Sequence, residues 1–299
     1  MLAGVELGGS KCVCILGTGP DDIRAQVRVP TGESHATLAQ IGGVLDSWQA
    51  AHPLQAIGIA SFGPLDLHPG SRTYGHIIST VKPGWHGANI AELARARSVP
   101  LGLDTDVNGA ALAEGRWGAA QGLDDFAYIT VGTGIGVGLI VGGKTVLGCN
   151  HTELGHIRVV RCAEDSWPGA CSFHGDCVEG LASAPAIAAR TGLPPAEIAA
   201  DSPVWDLVAH ALGQLMHGLV LATAPRRILV GGGVAHGRPQ LLAKVRRHLV
   251  DSLNGYLPLE ELTGAIDRYI APPGLGPLAG PLGALALAAN AQAAKARAL

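Results

Sequence analysis

The stretch "FAYITVGTGIGVGLIVGGKTVLG", residues 126–148, decides how this chain is read, because two glycine patterns compete inside it. Gly138 to Thr145, "GLIVGGKT", matches the phosphate-loop pattern G-x-x-x-x-G-K-[ST] at every specified position. That pattern holds phosphate only where a glycine-rich loop follows a strand and opens a helix. Here the variable positions are Leu139, Ile140, Val141 and Gly142, mostly the interior of a buried strand. The following "TVLGCN" is β-branched and broken by glycine, with no helical run. The reading is therefore a strand, a tight Gly142–Gly143 turn and another strand, with no nucleotide at Lys144. The other pattern, "VGTGIG" at Val131 to Gly136, then becomes the turn of an antiparallel hairpin, and the whole stretch is a three-strand meander.

The N-terminus repeats this outline. Val5, Cys12 to Leu16 and Gln26 to Val29 are short apolar or β-branched runs separated by "GGS", "GTGPDD" and "TGES". Helical periodicity over 36–51 precedes the apolar strand 56–62 and a polar, glycine-rich segment over 63–89, a length that marks a functional loop. A helix over 90–97, a strand over 100–106 and a helix over 108–117 complete the first half. After the second meander come helices over 182–190 and 205–222, the strand "RILVGGGV" (227–234), and a helix over 239–253. A strand near 266–270 and an alanine-rich terminal helix follow.

Antiparallel strands followed by crossover helices and further strands, twice over, predict a duplicated α/β architecture with two domains flanking a cleft. The expected boundaries are a small N-terminal α/β domain over 1–115, completed by the C-terminal helix 280–299, and a large α/β domain over 116–279.

Of the 299 residues 47% are hydrophobic and 15% charged, a globular balance, and the net charge of −3 gives no electrostatic case for nucleic acid or an acidic membrane as partner. The stretches 207–225 and 269–294 lack Asp, Glu, Lys and Arg. The first contains His210, Gln214 and His217 and the second four prolines, so they read as buried helix and loop-plus-helix rather than membrane spans. The first residues have neither a basic region nor a signal-length apolar run, and a cytoplasmic location is expected.

Two glycine turns stand at equivalent places, "ELGGSK" (Glu6 to Lys11) and "VGTGIG". Each offers backbone N–H groups and a hydroxyl, Ser10 or Thr133, where no Cβ obstructs approach, and such nests bind phosphate oxygens. "GGGV", Gly231 to Val234, opens a helix in the second half.

On these residues the chain resembles the sugar kinases of the ROK family (repressor, open reading frame, kinase), within the actin-like, ribonuclease H-like ATPase fold. The resemblance covers essentially the whole length. "VELGGSK" is similar to the family's D-[LI]-G-G-[TS]-K phosphate hairpin, with Glu6 where aspartate is usual, which keeps the carboxylate on a longer reach. The resemblance implies ATP and Mg²⁺ as cofactors, with Glu6, Gly8, Gly9, Ser10 and Lys11 on the first phosphate hairpin. It implies Thr133, Gly134 and Gly136 on the second phosphate loop, Pro185 on the nucleotide side, and Gly232, Gly233 and Val234 beside the adenosine.

Phosphoryl transfer to a sugar needs one base for the hydroxyl proton; the rest is positioning and charge neutralisation. "LGLDTDVNGAALAEGRWG" offers Asp104 and Asp106 at a strand end before a helix. Asp106 also reads as that helix's N-cap, a compatible role, since a carboxylate at a positive helix end stays ionised. In the family pattern N-D-x-N-x-x-A the aspartate matches Asp106 and the second asparagine Asn108. Thr105 replaces the first asparagine and keeps a hydroxyl able to contact sugar. Asp106 is the expected catalytic base.

"HTELGHIRVVRCAEDSWPGACSFHGDCVEG" contains His156, Cys171, His174 and Cys177. C-x-x-H-x-x-C with an upstream histidine supplies four soft or borderline ligands, a set suited to tetrahedral zinc; the alternative is two free thiols beside incidental histidines. The resemblance favours zinc. ROK proteins typically carry G-H followed by C-x-C-x4-C-x-E, and this chain has Gly155-His156 and Cys177 to Glu179. C-x-x-H replaces C-x-C, a variant similar to the bacterial fructokinase branch. Four protein ligands leave no open position, so the zinc is expected to be structural, which argues against a zinc hydrolase. Cys12 and Cys14, on one face of a strand, read as core; Cys149 and Cys162 remain unassigned.

The resemblance places Glu153, His156 and Glu179 at the sugar, with the Gly63-Pro64 turn lining the pocket, and the long loop looks like that of the fructokinase branch. The expectation is an ATP- and Mg²⁺-dependent hexose 6-kinase, a cytoplasmic homodimer, with fructose as first substrate and glucose or mannose as alternatives. A non-catalytic, sugar-sensing ROK protein is the alternative of another class. Such repressors carry a helix-turn-helix before the phosphate hairpin, which here begins at residue 4.

Overall fold

The computed structural model describes residues 1–297. Its strands are β1 (Leu2–Leu7), β2 (Lys11–Gly19), β3 (Asp22–Pro30), β4 (Ala56–Ser61), β5 (Leu101–Thr105), β6 (Phe126–Val131), β7 (Ile135–Val141), β8 (Lys144–Thr145), β9 (Ile228–Gly231) and β10 (Ile270–Ala271). Its helices are α1 (Ser34–Ala51), α2 (Glu92–Arg95), α3 (Asp106–Trp117), α4 (Val178–Ala182), α5 (Ala184–Thr191), α6 (Val204–Thr223), α7 (Gly233–Gly237), α8 (Gln240–Leu253), α9 (Glu260–Thr263), α10 (Ile266–Tyr269) and α11 (Ala279–Arg297). Two compact units result. One comprises Met1–Gly122, Thr145–Thr152 and the chain from Gly274 onward; the other comprises Leu123–Lys144 and Glu153–Pro273. The segment 145–152 thus belongs to the first unit although the residues on both sides of it in sequence belong to the second. Of the helix expected over 280–299, residues 298 and 299 lie outside the described residues.

In the first unit the sheet runs β3-β2-β1-β4-β5, antiparallel through the β1–β2–β3 meander and parallel from β1 to β4 to β5. α1 buries Thr37, Ile41, Leu45 and Trp48, a spacing of three and four that puts them on one helix face. α11 is alanine-rich for a reason the register exposes. Gly4 pairs with Gly58 and Gly58 with Gly102, so three glycines form a row across the sheet. A Cβ on Gly58 would meet the carbonyl oxygen of Ala284 at 1.9 Å, and one on Gly102 that of Leu287 at 2.1 Å. The helix backbone lies directly on the sheet backbone, and any larger residue in the row would overpack the contact at a cost of about 1–3 kcal/mol or more.

The second unit repeats the plan strand for strand, in the order β8-β7-β6-β9-β10, with β6–β7 antiparallel and β6–β9–β10 parallel. The duplicated α/β architecture read from the sequence is therefore present. Gly138 to Thr145 is β7, a Gly142–Gly143 turn with φ of 57° and 74°, and β8; no helix follows, so the phosphate-loop match is coincidental. α6 is long and apolar enough to cross a membrane by length and composition. Val208, Leu212, Leu215, Met216 and Leu219 are buried inside the unit, where α6 packs on α4 and α8.

Two expected elements differ. The helix expected over 182–190 begins only at Ala184: Ala182 ends α4, and Ser183 turns the chain and caps α5, its Oγ accepting from Ala186 N at 3.3 Å. The strand near 266–270 shrinks to Ile270–Ala271, because Ile266–Tyr269 closes a helical turn from Ala265 O to Tyr269 N. Arg246 of α8 donates to the carbonyls of Asp267 and Ile270, which fixes that turn against α8.

Candidate functional site

In the first unit, Gly8 N donates to Lys11 O at 3.1 Å and closes the β1–β2 turn. Thr31 supports it from β3's end, its hydroxyl donating to Gly8 O (2.8 Å) and its N–H to Ser10 O (3.2 Å). Gly9, Ser10 and Lys11 are exposed. Glu6, near the end of β1, is pushed up to a pKa of about 7, chiefly by burial and further by the negative charge of Asp106, with Lys11 opposing. Its extra methylene has room because position 280, in the first turn of α11, is glycine: a Cβ there would lie 2.0 Å from Glu6 Oε1.

The N-cap of α3 is Thr105, not Asp106. Thr105 has extended backbone and its Oγ1 accepts from Asn108 N at 3.2 Å, while Asp106 is the first helical residue. A threonine three positions before a free N–H reaches it; a residue already in helical conformation does not. Asp106 Oδ1 accepts from Val107 N at 2.9 Å, and burial pushes its pKa up to about 6 against that backbone hydrogen bond. Thr105 is buried, and with its oxygen accepting, the hydroxyl proton is what it retains to give. Asp104 holds the arrangement from behind: Oδ1 accepts from Thr105 N (2.8 Å) and from Asn108 Nδ2 (2.7 Å).

Gly63–Pro64 is a cis peptide just after β4. Behind it stands His151, a residue the sequence reading did not select. Leu65 N donates to His151 Nε2 at 2.9 Å, so the buried ring is neutral with its proton on Nδ1. Burial lowers its pKa, opposed by the Thr152 carbonyl and by Asp104.

In the second unit, Gly132 N donates to Gly134 O at 3.0 Å across the β6–β7 turn, with Thr133 exposed at its tip. Ala184 N donates to Gly132 O at 2.8 Å, which brings the first turn of α5, and Pro185 with it, to this hairpin. Gly232, at φ 90°, leads from β9 into α7; a Cβ there would lie 2.4 Å from Val131 O, so only glycine fits. Gly233 and Val234 begin α7. Gly136 lies within β7, paired with Thr130, not in the turn itself.

The ligand atoms of His156, Cys171, His174 and Cys177 all lie within 4.8 Å of one another. Sγ of Cys171 is 3.7 Å from Nδ1 of both histidines, and Sγ of Cys177 is 3.6 Å from His156 Nδ1. Metal–ligand bonds of 2.1 to 2.3 Å in a tetrahedron give ligand separations of about 3.6 Å. Both histidines present Nδ1, which leaves His156 Nε2 to face Glu179 Oε1 at 3.8 Å. Burial pushes the Cys177 thiol up to about 11, with Cys171 and Glu179 adding to the shift, so a cation would be needed to hold it as thiolate.

Glu179 also reaches the hairpin, its Oε2 accepting from Ile135 N at 3.1 Å. Gly155 packs against the first residue of β7, where a Cβ would meet Ile135 O at 1.7 Å. Glu153, exposed, precedes the Leu154–His156 turn, its carbonyl accepting from His156 N at 3.0 Å. The loop is braced by residues sequence reasoning missed. Asp165 pairs with Arg161 (3.0 Å) and with Arg190 of α5, and Arg161 reaches Asp176 at 3.5 Å. Arg161 and Asp165 stand four apart, but no local spacing signals the pairs with Arg190 and Asp176, whose partners lie further along the chain.

The chain is similar to known proteins along nearly its whole length. The model of the ROK family matches residues 2–291. A putative fructokinase of Bacillus subtilis (strain 168) is 41% identical over 297 residues, covering 99% of this chain and 98% of its own length. A fructokinase of Pediococcus pentosaceus is 37% identical, over 96% of this chain and 97% of its own. Among solved structures, a ROK family glucokinase from Streptomyces griseus in complex with glucose and AMPPNP superposes with a TM-score of 0.77 at 26% identity, covering 97% of this chain and 99% of that one. With the family model matching nearly the whole chain and relatives 37–41% identical from end to end, the chain belongs to the ROK family.

Proposed function

We propose that this protein is a fructokinase that transfers the γ-phosphoryl group of ATP to the 6-hydroxyl of D-fructose. The observation that carries the reading is end-to-end identity of 37–41% with relatives named fructokinase. The chain's own chemistry fits it. Asp106, with its pKa raised to about 6, accepts the hydroxyl proton, and a base poised near neutrality suits that step. Toward the nucleotide the first unit offers Gly8, Gly9, Ser10 and Lys11, and the second unit offers Thr133, Gly134, Gly136, Pro185, Gly232, Gly233 and Val234. Gly63, Pro64, Thr105, Glu153, His156 and Glu179 hold the hexose.

Glu6 is the carboxylate suited to Mg²⁺, which when bound offsets phosphate charge. Zinc is the ion suited to His156, Cys171, His174 and Cys177, since two thiols and two imidazoles at tetrahedral spacing match its preference. With four protein ligands it would be structural, and His156, bound through Nδ1, would keep its Nε2 towards Glu179. A cytoplasmic homodimer acting on small molecules, with no nucleic acid or membrane partner, is consistent with the net charge of −3 and the buried apolar face of α6.

Glucose is the second substrate to consider, because the glucose-bound Streptomyces griseus enzyme shares the fold across the chain. One coupled assay with ATP and fructose, mannose, glucose or N-acetylmannosamine separates the readings. Fructose should give the highest kcat/KM. A tenfold preference for glucose would replace fructokinase by glucokinase, and no phosphorylation of any hexose would point to a sugar-sensing protein.

A further inference from the structure

The long loop of the first unit carries a cation to the phosphate hairpin. Trp85 is fully buried, its Nε1 donating to Gly32 O at 2.8 Å and its ring edge-on to Phe62 at 5.1 Å. Ser34 Oγ donates to Gly84 O, pinning the same short segment to the turn after β3. That turn is the one through which Thr31 supports Gly8 and Ser10. Three residues before Trp85, Lys82 Nζ donates to Gly9 O at 2.7 Å, at the exposed tip of the hairpin. An ammonium has three protons, and this hydrogen bond uses one.

The electrostatic setting makes that position consequential. Glu6, on the strand that leads into this hairpin, is already repelled by the negative charge of Asp106, and the Glu33 carboxylate lies against Gly84, two residues after Lys82, while the substrate is itself a polyanion. Phosphoryl transfer is accelerated chiefly by positioning and by positive charge aimed at the transferred group. We propose that Lys82 is a catalytic residue: its ammonium, held on the Gly9 carbonyl, binds a non-bridging oxygen of the γ-phosphoryl group and stabilises it during transfer. The proposal rests on the kinase reading above. It assigns to the loop over 63–89 a role toward the nucleotide in addition to that of Gly63 and Pro64 toward the sugar.

The test uses Lys82→Met, which keeps the length and removes the charge, beside Lys82→Arg. Wild-type protein is assayed first; if it phosphorylates no hexose, the kinase reading fails and not this assignment alone. With an active wild type, Lys82→Met should lower kcat about 10²–10³-fold, the usual loss on removing one donor to transition-state charge. Affinity for AMPPNP should fall about tenfold. ADP, which lacks the γ-phosphoryl group, should bind as before, and Lys82→Arg should recover part of kcat. Unchanged kcat, or equal losses of ADP and AMPPNP affinity as a merely structural lysine would give, overturns the proposal. Lys82→Gln is read by the same criteria if the methionine variant does not fold.

Discussion

Replacing Asp106 by asparagine should make the protein more stable and nearly inactive. The native carboxyl is held at a pKa of about 6 against an ordinary 3.8, chiefly by burial. A shift of about two units is worth at most ~3 kcal/mol, and with part of the side chain in solvent, about 1–3 kcal/mol is the working figure. The sign is set by the direction. A carboxylic acid whose folded pKa is raised loses stability as the pH rises from the unfolded value towards the folded one, and the full cost stands above the folded value. Asparagine removes that cost and also the repulsion that helps raise Glu6. The local hydrogen bonding survives, because Thr105 caps α3 and an amide oxygen can still accept from Val107 N. The Asn variant should therefore melt several degrees higher at pH 7 to 8 in chelator-treated protein. The gain should shrink as the pH falls through 6 and vanish below about 4, where the wild-type group is protonated in both states. Turnover should fall by about 10²–10⁴ while sugar and ATP affinities stay within roughly tenfold. A variant that melts lower and turns over at near-normal rate would refute the reasoning and make Asp106 a structural residue.

Gly280→Ala should leave stability near wild type, since better helix propensity offsets crowding, yet displace the Glu6 carboxyl and lower kcat about tenfold or more. Combined with Glu6→Asp, whose shorter side chain clears the new methyl, it should cost much less, and a double-mutant cycle with no coupling would sink the steric account. Elemental analysis should find about one zinc per chain, and Cys177→Ser should lower thermal stability and sugar affinity together. Metal-free protein that is stable and fully active would exclude a structural zinc. Lys144→Ala should change ATP affinity by less than about threefold, because β7–turn–β8 opens no helix for phosphate; a loss of about a hundredfold in a folded variant would restore the phosphate loop.

What was legible in the sequence is what local chemistry encodes. Glycine spacing marked both hairpins, apolar periodicity marked α1 and the strands, and repetition of the pattern announced the duplication. The four metal ligands could be found because three of them lie in one seven-residue run, Cys171 to Cys177. Glu6 could be noticed as a departure, but its accommodation could not, because Gly280 is remote in the chain and meets it only when α11 returns to the first sheet. The same holds for the glycine row Gly4–Gly58–Gly102, which is a row only once strand register is set, and for Lys82, which reaches Gly9 through a loop whose path depends on the burial of Trp85. Even a one-residue question, whether Thr105 or Asp106 caps α3, turned on where β5 stops pairing with β4, at Thr105 itself. Sequence alone determined most of the elements, their repetition and the residue types the chemistry needs. Tertiary structure decided which of those residues meet, because backbone register and side-chain burial are set by contacts between segments that are distant along the chain.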